Sequence, residues 1–242
     1  YENGQTVQSY GGGVCQVSTT LYNAVLKAEL EVTQRSNHSM IVTYVKPSMD
    51  AAIAGDYKDL KFVNNLDAPI YIEGYTVGKD IYFNIYGQET RPSNRKVTYE
   101  SEVVSEEDPG TQFVATGDAV GSISTTQGKH MGYVARLWKI VTVDGVEQSR
   151  DAINKSTYKS SPKIVNVGTA SADPNVVAAV NAALATGDEA TIYATVAQYS
   201  GAGQTPSEAP AEAPADSSAE AAAILGTVDE SQITGNTTTE GQ

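Results

Sequence analysis

A single cysteine, Cys15, follows three consecutive glycines, Gly11-Gly12-Gly13, and 23 residues later stands His38, one of two histidines in the chain. After the glycines, Val14, Val17, Leu21, Ala24, Val25 and Ala28 recur at steps of three and four, the spacing of one helical face. Gln16, Thr19, Thr20, Asn23 and Lys27 fall on the other faces. A helix is therefore expected over 14–30, with Cys15 in its first turn. The amides of a first turn are unpaired and the helix dipole is positive there, and both stabilise a thiolate. Glycines let a substrate approach the backbone and present amides that can hold an oxyanion. A thiolate beside an imidazole is the nucleophile and base of papain-like sites, which are defined by geometry and not by chain order. A lone Cys also serves as a small buried apolar residue, and a lone His as an ordinary hydrogen-bonded group.

The pair needs elements that bring it together. From His38 the period changes to two. His38, Met40, Val42 and Tyr44 share one face and Ser39, Ile41, Thr43 and Val45 the other, which predicts a strand limited by Pro47. A 15-residue helix is about 22 Å long. A return segment over 31–37, at up to about 3.3 Å per residue, spans the same distance. His38 can thus return to the helix start, within hydrogen-bond reach of Cys15. Strands are also expected over 60–63, 69–76 and 81–86, with turns at Asn64-Asn65 and Gly78-Lys79-Asp80. A helix followed by several strands favours α+β, one helix packed on an antiparallel sheet.

Beyond residue 90 the pattern is all-β. Residues 97–104 alternate, Asp108-Pro109-Gly110 turns, and Asp144-Gly145 joins a strand over 134–143 to one over 146–150. A last strand over 163–167 ends at Gly168. Residues 174–199 are Ala-rich and helical in spacing, interrupted at Gly187, with a second helix expected over 189–199. Residues 200–242 repeat Ala, Pro, Glu, Gly, Ser and Thr, too little apolar surface to offset ordering entropy, so a disordered acidic tail is expected. The divisions are 1–90, 91–170, 171–199 and 200–242.

Charge narrows the function classes. The chain of 242 residues carries 29 acidic and 16 basic side chains, net −13. All 16 basic groups and 19 of the acidic ones lie in residues 1–163, net −3, and the other 10 acidic groups follow. Such a chain lacks the clustered Lys and Arg that nucleic acid requires. It also lacks an apolar run long enough to span a bilayer or a basic amphipathic stretch to coat one. One cysteine excludes an intramolecular disulfide. With only two histidines as well, a four-ligand Cys/His zinc site within the chain is excluded. No metal and no cofactor is expected. The first residue is Tyr1, which predicts a fragment or processed chain, so a missing leader carries no weight. Asp50, Asp56 and Asp59 cluster without calcium-loop spacing, and His130 reads as surface. Tyr71, Tyr75, Tyr82 and Tyr86 fit either a sugar-binding groove or half-buried packing on strands.

The stretch GGGVCQVSTTLYNAVLKAELEVTQRSNHSMIVTYVKPSMDAAI (11–53), followed by DLKFVNNLDAPIYIEGY (59–75), closely resembles the VanW domain. The resemblance covers residues 1–88 and implies a domain lacking its N-terminal part. It implies an L,D-transpeptidase acting on peptidoglycan, with Cys15 as nucleophile and His38 at the family's His-Ser step. Gly12, Gly13, Gln16, Ser18, Arg35, Ser39, Asn64 and Asn65 also match family positions and are the expected oxyanion and substrate residues, Arg35 for a substrate carboxylate. Residues 97–169 resemble a G-five domain through Gly110, Gly117, Gly121, Gly128, Gly132, VDGVEQSR and PKIVNVGT. That resemblance implies glycan binding, against which stands a plain spacer. The expected partners are peptidoglycan stem peptides and glycan strands, at an extracellular, cell-wall location. Two rivals remain: a non-catalytic wall-binding protein, and a cysteine peptidase or amidase.

Overall fold

The computed structural model describes residues 13–200. Gly12 and the tail expected over 200–242, apart from Ser200, lie outside them. The first helix, α1, spans Val14–Lys27 with Gly13 as N-cap. It ends where Glu29 turns left-handed at φ 55° and the Leu30 amide donates to the Val25 carbonyl, a helix stop that satisfies orphan carbonyls. The buried face is not the one the apolar spacing indicates. Val14 and Val17 are 47% and 39% exposed, whereas Ser18, Thr19, Tyr22, Asn23, Val25 and Leu26 are buried. Thr19 and Asn23 turn inward because they hydrogen-bond a neighbouring backbone, described below.

Strand β1 (Glu31–Gln34) pairs antiparallel with β2 (Lys61–Val63). Hairpin β3 (Tyr71–Val77) and β4 (Asp80–Tyr86) closes through a two-residue loop in which Gly78 takes φ 62°. The helix packs on β4. The strand expected from His38 does not form: residues 35–53 contain no ladder. His38, Met40 and Val42 are buried as the alternation implies, but among the described residues no strand lies alongside to pair with them.

Six strands follow: β5 (Arg95–Glu107), β6 (Thr111–Ala119), β7 (Ile123–Gln127), β8 (Gly132–Val143), β9 (Val146–Tyr158) and β10 (Lys163–Ala170). They form two sheets, β5-β8-β9 and β6-β10-β7. The first is antiparallel, with the expected hairpin at Asp144-Gly145. In the second, β10 runs parallel to β6 and antiparallel to β7. Helices α2 (Pro174–Thr186) and α3 (Glu189–Tyr199) each begin with an aspartate cap, Asp173 and Asp188, and Gly187 breaks between them at φ 68°. They bury Val180, Ala183, Ile192 and Val196 against Val165 and Val167 of β10.

A second core joins the two halves. Tyr22 and Leu26 of α1 and Ala51 pack on Leu137 of β8, which is fully buried. Around it, Glu29 binds Arg91, Arg95 and Lys139, and the Tyr99 hydroxyl donates to the Leu26 carbonyl at 2.5 Å.

Candidate active site

The segment 49–53 organises the site because its two faces serve two neighbours. On one face the Asn23 amide donates to the Met49 carbonyl at 2.9 Å. The Thr19 hydroxyl accepts from the Ala51 amide at 3.0 Å. Cys15 Sγ lies 3.5 Å from both the amide nitrogen and the carbonyl oxygen of Ile53. Four residues of helix rise about 6 Å, and two residues of extended chain about 6.6 Å. Positions 15, 19 and 23 therefore keep step with 53, 51 and 49. The Ile53 amide aimed at the sulfur is a donor that a thiolate can accept, and the thiol can donate to the Ile53 carbonyl.

On the other face, the Ala52 amide donates to the Ser36 carbonyl and Asp50 reaches back to Arg35 and His38. Asp50 is fully buried and accepts four hydrogen bonds. Its Oδ2 takes the His38 amide and His38 Nδ1, both at 2.7 Å. Its Oδ1 takes Arg35 Nη2 at 2.7 Å and the Tyr158 hydroxyl at 2.5 Å. Burial works to raise the Asp50 carboxyl, but the His38 hydrogen bond, the Arg35 charge and the Tyr158 hydrogen bond outweigh it and hold it below the usual carboxylate range. An ionised Asp50 fixes the His38 proton on Nδ1. That leaves Nε2, 3.3 Å from the Tyr44 hydroxyl, as the nitrogen able to exchange protons. A carboxylate on one imidazole nitrogen with the other left open is also the geometry by which nucleophile–base–acid arrays orient their base.

Among the described residues no hydrogen bond joins Cys15 to His38, because segment 49–53 stands between α1 and the His38 backbone and engages each from its own side. Lys58 braces the His38 side. Its Nζ donates to the Asn37 carbonyl at 2.8 Å and to Ser39 Oγ at 3.3 Å. Burial lowers its pKa, and the charges of Asp50 and Cys15 oppose that shift.

The other expected site residues divide. Gly13 caps α1 with φ −87°, needing no glycine-only conformation. Gln16 is exposed and its carbonyl accepts from Thr20. Ser18, one turn beyond Cys15, is buried and its hydroxyl has no partner among the described residues. Arg35 is turned inward: Nε donates to the Asp50 carbonyl, Nη2 to the Asp50 carboxylate and Nη1 to Ser156 Oγ. Asn64 closes its own turn through Leu66 and Ala68, and Asn65 accepts from the Glu31 amide, tying β1 to the β2–β3 loop. Asp50 and Lys58 escaped sequence reasoning. The only signal for Asp50 was its place in the Asp50/Asp56/Asp59 run, and Lys58 had none. No group of three or more His, Cys, Asp or Glu among the described residues is arranged to hold a metal. None of the described helices is long and apolar enough to cross a membrane.

Comparison with known proteins fits this two-part construction. The family described as VanW like protein matches residues 1–86, and the G5 domain matches residues 94–170. The uncharacterized protein YoaR of Bacillus subtilis (strain 168) is 37% identical over 86 residues, which are 36% of this chain and 28% of that protein. The chain thus spans just over a quarter of the length of that relative. Among solved structures, the IgA1 protease G5 domain is 26% identical, with 32% of this chain and 94% of that one covered and a TM-score of 0.24. The HP0197 G5 domain is 20% identical, covering 30% and 99%, with a TM-score of 0.17. This chain therefore matches the VanW-like family over residues 1–86 and, after it, the G5 domain over residues 94–170.

Proposed function

We propose that this protein is a cysteine acyltransferase of the L,D-transpeptidase type acting on peptidoglycan stem peptides. In this reading the Cys15 thiolate attacks the carbonyl carbon at the L-centre of the third stem residue. The bond to the terminal D-residue breaks, and its amine leaves with a proton from His38 Nε2. A side-chain amine of a second stem then attacks the Cys15 thioester, gives a proton back to His38, and expels the thiolate. Water in place of that amine gives a carboxypeptidase. The oxyanion is held by the Cys15 amide and the glycine-loop amides, with the Ser18 hydroxyl, unpartnered among the described residues, as a further donor. Sγ and Nε2 meet once substrate is bound, as catalytic contacts that are open in free enzymes commonly do.

The observation that carries the reading is the His38–Asp50 pair, built on the same five-residue segment that grips Cys15 at Ile53. A merely structural histidine needs no buried, fully saturated carboxylate on Nδ1. The test is incubation of the purified protein with wall sacculi and mass analysis of the muropeptides. Cross-links between third residues are expected with the wild type and not with Cys15→Ala; unchanged cross-linking in that variant refutes the proposal. A second reading, a wall-binding protein without catalysis, draws on the Tyr71/Tyr86 and Tyr75/Tyr82 pairs. Both are stacked on one face of the β3–β4 hairpin, with Tyr71, Tyr75 and Tyr86 exposed, a platform suited to sugar rings. It requires cosedimentation with sacculi and no acylation of Cys15 by a thiol-reactive carbapenem.

A further inference from the structure

We infer that the second module is part of the Cys15–His38 apparatus and that Tyr158 is its positioning residue. The inference rests on the reading above and deepens it. Strand β9 turns alternate side chains, Asn154, Ser156 and Tyr158, onto the first module, while Lys155 and Thr157 between them face solvent. All three meet one residue. Ser48 is fully buried, and its φ of 67° turns its backbone groups toward β9. Its carbonyl accepts from Asn154 Nδ2 at 3.2 Å, its Oγ donates to Ser156 Oγ at 2.7 Å, and its amide donates to the Tyr158 hydroxyl at 2.7 Å.

Two of the three then reach the catalytic side. Ser156 Oγ accepts from Arg35 Nη1 at 2.8 Å, and the Tyr158 hydroxyl donates to Asp50 Oδ1. A carboxylate offers about four lone-pair sites. Tyr158 fills the fourth on Asp50, after Arg35 and the two donors of His38, so the carboxylate has one orientation and the imidazole it holds has one as well. Burial and the Asp50 charge push the Tyr158 hydroxyl well above its ordinary value, so it remains a donor. A tether that only carried the first module to the wall would need no buried hydrogen bond into the base's own carboxylate.

Tyr158→Phe in the full chain removes that donor and keeps the ring. The expected result is a kcat for cross-linking lower by up to about 100-fold, the scale of a small misplacement of a catalytic group, with KM within a factor of about two. The low-field Nδ1–H proton resonance of His38 should move or broaden. Leu137→Val is the comparison: it thins the core shared by α1 and β8 without touching Asp50, Arg35 or His38, and should lower the melting temperature while leaving kcat and the His38 resonance close to wild type. The inference is overturned if Tyr158→Phe leaves the resonance or kcat unchanged, or if both variants lose kcat in proportion to their loss of stability. If Cys15→Ala still cross-links, the transpeptidase reading fails, and the His38 resonance alone still reports whether Tyr158 positions the ring.

Discussion

Replacing Asp50 by Asn tests the centre of the site with almost no change in volume. The carboxylate is fully buried and serves four donors, and its partner Arg35 has a side chain only 7% exposed. An amide keeps one acceptor oxygen. If that oxygen stays with Arg35 and Tyr158, the NH2 group is turned toward the amide and Nδ1 of His38. The His38 amide is then a buried donor without a partner, at about 1–3 kcal/mol. Arg35 loses its counter-charge, and breaking one side of a buried ion pair costs about 3–5 kcal/mol. The two losses share atoms and do not add, so the expected destabilisation is about 3–5 kcal/mol against a typical total of about 5–15 kcal/mol. The amide also forces Nδ1 to accept, which moves the imidazole proton to Nε2 and blocks the nitrogen proposed as the base. In serine triads the equivalent change lowers kcat by roughly 10⁴-fold. There is a pH signature as well. Asp50 titrates below its unfolded value, so its stabilisation is complete above the ordinary carboxylate range and is lost as pH falls through the lower folded value; the Asn variant should lack this component. Urea unfolding followed by the fluorescence of the single tryptophan, Trp138 on β8, measures the first effect. A loss under about 1 kcal/mol would show that Asp50 is not the saturated ionised group described here.

Two further outcomes test the junction between the halves. Glu29 is lowered from 4.5 to about 2, first by its hydrogen bond from Arg95, against burial, and then by Lys139 and Arg91. Because the folded value is depressed, its contribution is complete above about pH 4.5 and disappears as pH falls toward 2; with partners partly open to solvent it is worth about 1–2 kcal/mol. Thermal melts of wild type and Glu29→Gln should therefore converge on acidification and in high salt, and a gap that stays constant down to about pH 2 would exclude this cluster. Leu137→Ala empties a fully buried position between α1 and β8 and should cost about 2–5 kcal/mol. Both halves should still unfold in one transition; two separated transitions in differential scanning calorimetry would show that the shared core does not couple them.

Much of this organisation was readable locally. The Cys15 position at a helix start, the Asp144-Gly145 hairpin and the break at Gly187 between α2 and α3 are written in neighbouring residues, because caps and tight turns are decided within a few positions of backbone. Alternation over 38–45 was readable too, but it reported burial and not pairing. His38, Met40 and Val42 do point inward, yet a strand exists only where another strand supplies the hydrogen bonds. The inner face of α1 misled for a related reason: Thr19 and Asn23 are polar, and they are buried because the Met49 and Ala51 backbone satisfies them.

By itself, then, the chain determined its helix starts, its hairpins, and the placing of one cysteine at a helix start with a histidine 23 residues on. Tertiary structure alone decided what surrounds them. Asp50 meets His38 from 12 residues away, Arg35 from 15 and Tyr158 from 108. No local pattern encodes such meetings, because they depend on how two modules share a core, and only there does one aspartate of three in sequence become the fully buried acceptor of four donors. The physical reason is desolvation. A carboxylate taken out of water must be surrounded by donors, and those donors come from whatever parts of the chain the fold has brought within reach.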